Sequence, residues 1–262
     1  MSSSKAIMIT GSGGVLGKKF INKLLLEGHK IYASELNTTK VKELKSIFGN
    51  NQNFDCYVCD VSSETSVIKW FDRAFKLSKI DTVINNASIT SELLRDKNEA
   101  PNSFEDTSLK SWNMTLNVSL TGSFLVAREF GRRLKNTNNN DVKKLINISS
   151  MYALNGPDHS IYEGTNIKSF AAYSSSKAGI VGLTKWLASY WGSKGITVNA
   201  LAPGGVYNNH EKKFKDRLER KIPLGRMASA DDIANALAFM VSDQSDYMNG
   251  HVLYVDGGYT SI

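Results

Sequence analysis

The sequence predicts an α/β fold: one domain on a doubly wound parallel sheet of about seven strands, flanked by helices. Three observations predict it. Short apolar runs alternate with amphipathic runs of helical spacing along the whole chain. A glycine-rich turn, Gly11-Ser12-Gly13-Gly14-Val15-Leu16-Gly17, follows the first strand-like run directly, and an acid, Glu35, ends the second. No linker, internal repeat or low-complexity segment divides the 262 residues.

The first strand is Ala6 to Ile9. After the glycine turn, Phe20, Leu24 and Leu25 mark one side of a helix that stops at Gly28, and Lys30 to Glu35 forms the second strand. Strand, glycine turn, helix, strand and acid, in that order, are the parts of a dinucleotide site. Glycines let the backbone turn tightly and approach a pyrophosphate, and the helix start offers unpaired N–H groups and partial positive charge. The carboxylate of Glu35 suits the free 2′-hydroxyl of NAD and repels the 2′-phosphate of NADP. No Arg or Lys stands at Ser34, Leu36 or Asn37 to hold that phosphate, so NAD(H) is expected over NADP(H).

Further on, Val41 to Phe48 reads as a short helix and Phe54 to Cys59 as the third strand, followed by Asp60-Val61. Ser62 or Ser63 caps a helix from Glu64 to Leu77. Asp81 to Ile84 is a strand ending in the turn Asn85-Asn86-Ala87, and the polar stretch Ser88 to Asp106 is expected as an irregular surface loop. Thr107 or Ser108 caps a long helix, Trp112 to Leu134, that contains Asn117; Asn136 to Asp141 is an asparagine-rich turn. Lys144 to Ser150 is the fifth strand. A long loop leads to the helix Ala171 to Trp191, with Ile180, Leu183, Leu187 and Tyr190 at helical spacing. Ile196 to Leu201 is the sixth strand, ending at Pro203-Gly204-Gly205. Phe214, Leu218 and Ile222 stripe the run His210 to Lys221, Ser229 to Asp232 caps a helix through Met240, and His251 to Val255 is the last strand.

The formal net charge is +7, yet Lys and Arg are scattered among acids with no single-sign block and no basic face interleaved with aromatics. That argues for solubility and against nucleic acid as a partner. No apolar run is long enough to span a bilayer. Met1-Ser2-Ser3-Ser4-Lys5 runs straight into a strand without a signal peptide's apolar core, so the protein is expected in the cytoplasm. The only cysteines, Cys56 and Cys59, lie three apart in a strand and so face opposite sides of the sheet. They read as two reduced buried thiols, and no metal-ligand spacing occurs elsewhere.

Tyr173 and Lys177 stand four apart on a helix, one turn above the other on the same face. A phenol has an ordinary pKa of about 10, and a neighbouring ammonium lowers it. The pair fits a general acid/base; it equally fits a surface Tyr and Lys on neighbouring turns. Ser150 likewise fits a plain strand end, Asn117 a helix-face polar group and His159 a solvated loop histidine.

Together, the glycine turn from Thr10 to Gly17, Asp60-Val61, Asn85-Asn86-Ala87, Asn117, Ser150, Tyr173 with Lys177, and Pro203-Gly204 resemble the short-chain dehydrogenase/reductase family. The resemblance spans nearly all of residues 1–262, which would form one NAD(P)-binding Rossmann-fold domain. It implies NAD(P)-dependent interconversion of a carbonyl and an alcohol. Tyr173 would be the acid/base, Lys177 would lower its pKa and hold the nicotinamide ribose, Ser150 would bond the substrate oxygen, and Asn117 would help order a relay water. Gly11, Ser12, Gly13, Gly14, Val15, Leu16, Gly17, Glu35, Asp60, Val61, Asn86, Ala87, Pro203, Gly204 and Val206 would bind the cofactor, with Tyr173 and Lys177. Related enzymes pair the two long helices across subunits, which implies a homotetramer or, failing that, a dimer.

The chain departs from the family pattern in places. Val15 and Ser88 stand where the family favours glycine, the common Thr after Pro-Gly is replaced around Tyr207-Asn208-Asn209, and Ser150 and Tyr173 are 23 residues apart, a longer gap than usual. The resulting insert, about residues 156–170, joins two site residues and should cover the substrate pocket. It offers His159 and Tyr162 as substrate contacts, with Glu163, Thr165 and Asn166 beside them. A second cover, about residues 204–228, carries His210, Lys212, Lys213, Lys215 and Arg217. A polar, anionic sugar-type substrate under a two-part lid is expected. The run from Ser160 to Asn166 narrows the match: it resembles oxidoreductases of flagellin-glycosylation and nonulosonic-acid sugar clusters. Two other functions fit the scaffold, a 3-oxoacyl-thioester (acyl-carrier-protein) reductase and a non-catalytic dinucleotide sensor.

Overall fold

The computed structural model describes residues 4–96, 99, 101, 103–135 and 142–262. Its elements are β1 (Ala6–Ile9), α1 (Val15–Leu26), β2 (Lys30–Glu35), α2 (Thr38–Phe48), β3 (Phe54–Val58), α3 (Glu64–Leu77), β4 (Thr82–Asn85), α4 (Ser91–Asp96) and α5 (Leu109–Leu116). A π-helical turn, Asn117–Thr121, leads into α6 (Gly122–Leu134). Then come β5 (Lys143–Ile148), α7 (Ala171–Trp191), β6 (Ile196–Pro203), α8 (Lys212–Glu219), α9 (Ala230–Val241) and β7 (Val252–Val255). The seven strands lie in the order β3-β2-β1-β4-β5-β6-β7, every neighbouring pair parallel. The chain reverses direction across the sheet between β1 and β4, and such a switch point opens a crevice at the carboxyl ends of the strands.

Helices cover both faces, so the central strands are buried on both sides and read as continuous apolar runs. Alternate residues feed two cores. Met8 and Val83 join Trp70, Phe71 and Phe130 under α3 and α6, while Ile7, Ile9 and Ile84 join Phe20, Leu24, Ile233 and Leu237 under α1 and α9. Cys56 belongs to the second core and Cys59 to the first, so they do face opposite ways. Burial pushes both thiols up to about 12, which keeps them protonated and inert.

Two segments differ from the expectation. Residues 88–106 are not wholly irregular: α4 forms there because Leu94 is buried against Ile89, Phe170 and Ala172. The long helix starts earlier, at Leu109, where the Ser108 side chain caps it, and the π turn breaks it in two. The expected turn Asn136 to Asp141 lies outside the described residues.

At the amino end of the sheet, buried cations close the C-terminus of α9. Lys5 Nζ donates to Val241 O at 2.9 Å, and Lys144 Nζ donates to Ser242 O at 2.6 Å, a favourable place for positive charge. Beside them His29, 1 % exposed, accepts the Lys5 N–H on Nδ1 at 3.2 Å. Burial holds its pKa below the ordinary value, against the opposing pull of Glu27. The unfolded chain therefore takes up this proton at higher pH than the folded one. The stability His29 contributes is complete above about pH 6.5 and is lost as pH falls from there toward the depressed folded value. His29→Asn keeps an acceptor near Nδ1 but cannot titrate. Urea melts followed by circular dichroism should show the wild type losing more stability than His29→Asn between pH 7 and pH 5.5; equal losses would contradict this account.

Candidate active site

The expected dinucleotide residues meet at the crevice. Gly11 has φ +61°, and a Cβ there would lie 2.6 Å from the Ala87 Cα, so only glycine lets the turn after β1 approach the turn after β4 this closely. Thr10 stitches the two turns together. Its Oγ1 accepts the N–H groups of Asn86 and Ala87 at 2.9 and 3.0 Å, and the Asn86 amide donates back to Thr10 O and Gly11 O at 3.1 and 2.8 Å. A Cβ at Gly17 would meet Ser12 O at 2.6 Å, so the start of α1 sits directly on the turn. Gly14 precedes α1, no side chain caps that helix, and no acid stands in its first turn. Its leading N–H groups suit an anion. Val15 is 43 % exposed, so its side chain takes no room from the turn's interior.

Glu35 ends β2 at 5 % exposure. Its Oε1 accepts the Gly13 N–H at 2.7 Å and its Oε2 the Leu36 N–H at 3.0 Å. The acid thus braces the glycine turn as well as facing the place for the ribose. Lys40, three residues beyond the positions inspected in the sequence, brings Nζ to 3.9 Å from Glu35 Oε2. Asp60 is half-buried, with Oδ1 accepting the Ser62 N–H and hydroxyl at 2.9 and 2.6 Å. Val61 packs on α6, where a Gly122 Cβ would come within 2.8 Å of it. At the far side Pro203 ends β6, a Gly204 Cβ would lie 2.6 Å from the Asp256 Cα, and Val206 bridges to Ala228. These groups fit a dinucleotide: a glycine cradle, an uncapped helix start and a carboxylate in line along the strand ends.

Next to the crevice lie Ser150, Tyr173 and Lys177. Lys177, 2 % exposed, donates from Nζ to Ile148 O at 2.8 Å, and that nitrogen lies 5.5 Å from the Tyr173 ring centroid. Burial brings its pKa down to about 8. An ammonium fixed beside a phenol favours the phenolate, which is what proton transfer at neutral pH needs. The Ser149 hydroxyl donates to Lys177 O at 3.0 Å and ties α7 to the end of β5. Ser150 Oγ accepts the Tyr152 N–H at 3.2 Å, which leaves its own proton for an outside acceptor.

Asn117 is not brought to this place. It begins the π turn on an exposed stripe with Leu109, Asn113 and Thr121. The residue turned inward there is Ser119, 0 % exposed; its Oγ lies 3.0 Å from Ser88 Oγ and accepts the Ile89 N–H at 3.2 Å. The sequence carries a signal for it. Ser111, Thr115, Ser119 and Ser123 recur at four-residue steps and are all buried. Thr115 and Ser123 donate back to Ser111 O and Ser119 O at 3.0 and 2.8 Å.

The two covers also differ from the expectation, because they are joined. Arg217 donates to Ser160 O and Glu163 O at 3.1 and 2.6 Å, and Glu211 accepts the Asn166 N–H at 3.1 Å. Lys221 pairs with Asp158 at 3.0 Å, and Lys213 Nζ lies 3.5 Å from Gly164 O. Lys212 and Lys215 pair along α8 with Asp216 and Glu219 at 3.2 and 2.8 Å. The cations expected to receive an anionic substrate are therefore already engaged, and His210 stacks on Phe214 at 5.2 Å. His159 is exposed, while Tyr162 is half-buried with its hydroxyl 2.7 Å from that of Tyr152. Among the described residues no cluster of His, Cys, Asp or Glu is placed to hold a metal ion.

Comparison with known proteins agrees with this geometry. A family model for enoyl-(acyl carrier protein) reductases matches residues 14–260. The chain is 30 % identical to 2-dehydro-3-deoxy-D-gluconate 5-dehydrogenase of Bacillus subtilis, over 98 % of this chain and 95 % of that one. It is 32 % identical to a 3-oxoacyl-(acyl-carrier-protein) reductase of Rickettsia bellii, over 99 % and 98 %. A short-chain dehydrogenase from Leptospira borgpetersenii, solved with bound NAD+, superposes with a TM-score of 0.85 at 27 % identity, covering 99 % of this chain and 94 % of that one.

The exposed and buried faces of the π turn make separable predictions. Asn117→Ala should leave turnover within about twofold, as surface changes usually do. Ser119→Ala leaves the Ile89 N–H without its acceptor and should lower stability by about 1–3 kcal/mol in denaturant melts. A large activity loss in Asn117→Ala would restore Asn117 to the site.

Proposed function

We propose that this chain, which belongs to the short-chain dehydrogenase/reductase family, acts on a polar, sugar-type substrate. It is an NAD(P)-dependent oxidoreductase of CH–OH groups. The bound nicotinamide supplies the hydride chemistry. Tyr173 passes the proton to or from the substrate oxygen, Lys177 holds the phenol's pKa down, and Ser150 orients that oxygen with its undonated proton. The observation that carries this reading is the buried Lys177 ammonium, held by Ile148 O beside the Tyr173 ring. Tyr173→Phe should lower turnover by about 10²–10⁴-fold, the usual worth of general acid–base catalysis, with NADH binding little changed. Near wild-type turnover in that variant would remove Tyr173 from the role.

The relatives include both a sugar-acid dehydrogenase and an oxoacyl-thioester reductase at similar identity. What favours the sugar side is the hydroxylated surround of Ser150, since polar groups buried against an acyl chain would lack partners. With the α8 cations engaged, recognition falls to neutral donors more than to a basic lid. The resemblance of Ser160 to Asn166 supports a place in flagellin-glycosylation or nonulosonic-acid sugar synthesis. A panel of sugars, sugar phosphates and 3-oxoacyl thioesters, followed at the NADH absorbance band, tests the assignment. Faster turnover of thioesters than of any sugar would replace it with the acyl reading.

Within this reading the enzyme works in the cytoplasm as a homotetramer or dimer. Phe124 on α6, with Trp186 and Tyr190 stacked at 5.0 Å on α7, leaves exposed aromatic surface for subunits to bury. Among the described residues no helix is long and apolar enough to cross a membrane.

The cofactor is NAD(H) before NADP(H), because Glu35 repels a 2′-phosphate. Glu35→Ala should narrow the ratio of the two dissociation constants by roughly 10- to 100-fold, the worth of a hydrogen bond to a charged group. Part of that change should be weaker NAD binding, since the variant also releases the Gly13 N–H. Tighter NADPH than NADH binding by the wild type would contradict the role given to Glu35.

A further inference from the structure

We propose that the Tyr152–Tyr162 phenol pair is a specificity element that hydrogen-bonds a second hydroxyl of the substrate, on the carbon next to the one that reacts. The proposal rests on the carbonyl/alcohol reading above and names the feature of the substrate that the site selects. The insert brackets the reaction centre from two sides. At one end the Phe170 ring meets the Tyr173 ring at 6.0 Å. Within it, Tyr162 places its hydroxyl 2.7 Å from that of Tyr152, whose own N–H donates to Ser150 Oγ at 3.2 Å. Both tyrosines are half-buried and close enough to Tyr173 for its charge to act on them.

The rings are held from behind. Tyr152 makes an edge contact with Tyr259 at 6.3 Å, and Tyr162 packs on Phe214 of α8 at 5.5 Å. The hydroxyls are thus set by packing, as a specificity group must be. Two phenols hold two protons, and their mutual bond uses one; the second is left to donate outward. Burial pushes Tyr162 up to about 12 and Tyr152 further up, so both remain protonated donors. A vicinal hydroxyl meets that donor, whereas a plain alkyl chain leaves it unpaired. Sites built to bond a hydroxyl reject the analogue that lacks it.

The test compares NAD+-dependent oxidation of butane-2,3-diol and butan-2-ol, which differ only in the second hydroxyl, by wild type, Tyr162→Phe and Tyr152→Phe. Wild type should favour the diol. Either variant should lower the diol's kcat/KM by roughly 10- to 100-fold and the mono-ol's by much less, so that the preference collapses. Melting temperature and NADH binding in each variant report that the fold persists. Equal losses for both alcohols, or an unchanged preference, overturn the phenol pair while leaving the oxidoreductase reading intact. No turnover of either alcohol by wild type, with thioester reduction in its place, overturns the sugar reading and the pair together.

Discussion

The structure depends on how closely the turn after β1 approaches the turn after β4. A Cβ at Gly11 would stand 2.6 Å from the Ala87 Cα, and Thr10 and Asn86 exchange four hydrogen bonds across the gap. This contact sits at the point where the strand order reverses, so it sets the width of the crevice. Everything expected to touch a dinucleotide hangs from it. Glu35 braces Gly13 from one side, and α1 starts against Ser12 and Gly11 from below. A side chain at either glycine would push apart backbone segments that have no slack, rather than a flexible neighbour.

The chemistry is held by a second fixed point, the Lys177 ammonium on Ile148 O. Burying that charge is unfavourable, which is why its pKa falls to about 8. The same burial keeps the local dielectric low, so the ammonium acts on the phenol more strongly than it would in water. Strand β5 supplies the carbonyl, and the residues just past its end supply Ser149 and Ser150. One strand end thus positions the lysine, ties down α7 and carries the oxygen-orienting hydroxyl.

Much of this was legible in the sequence, for physical reasons. The glycine turn and Glu35 are local features, read from residues that stay neighbours when the chain folds. The opposite faces of Cys56 and Cys59 follow from the two-residue period of a strand. What was not legible depends on departures from a regular period or on pairing between distant segments. Asn117 was singled out on the assumption of an unbroken helix, but the π turn hides it on the outside and turns Ser119 inward. Helix α4 was missed because one buried leucine, Leu94, outweighs a polar stretch. The lid's cations looked available because nothing in the run from His210 to Arg217 reveals that carbonyls of the insert, some fifty residues earlier, receive them.

The π turn also constrains how the chain can vary in length. It holds one residue more than an α-helical turn would, and the cost of that irregular turn is met by packing on both sides. Losing any one residue from Asn117–Thr121 would regularise the helix locally but rotate everything after it by about 100°. Val126 and Phe130, now in the core under α3, would swing toward water, and Gly122 would leave its place against Val61. The segment that looks most like a defect is therefore the one where a single-codon deletion should be tolerated least.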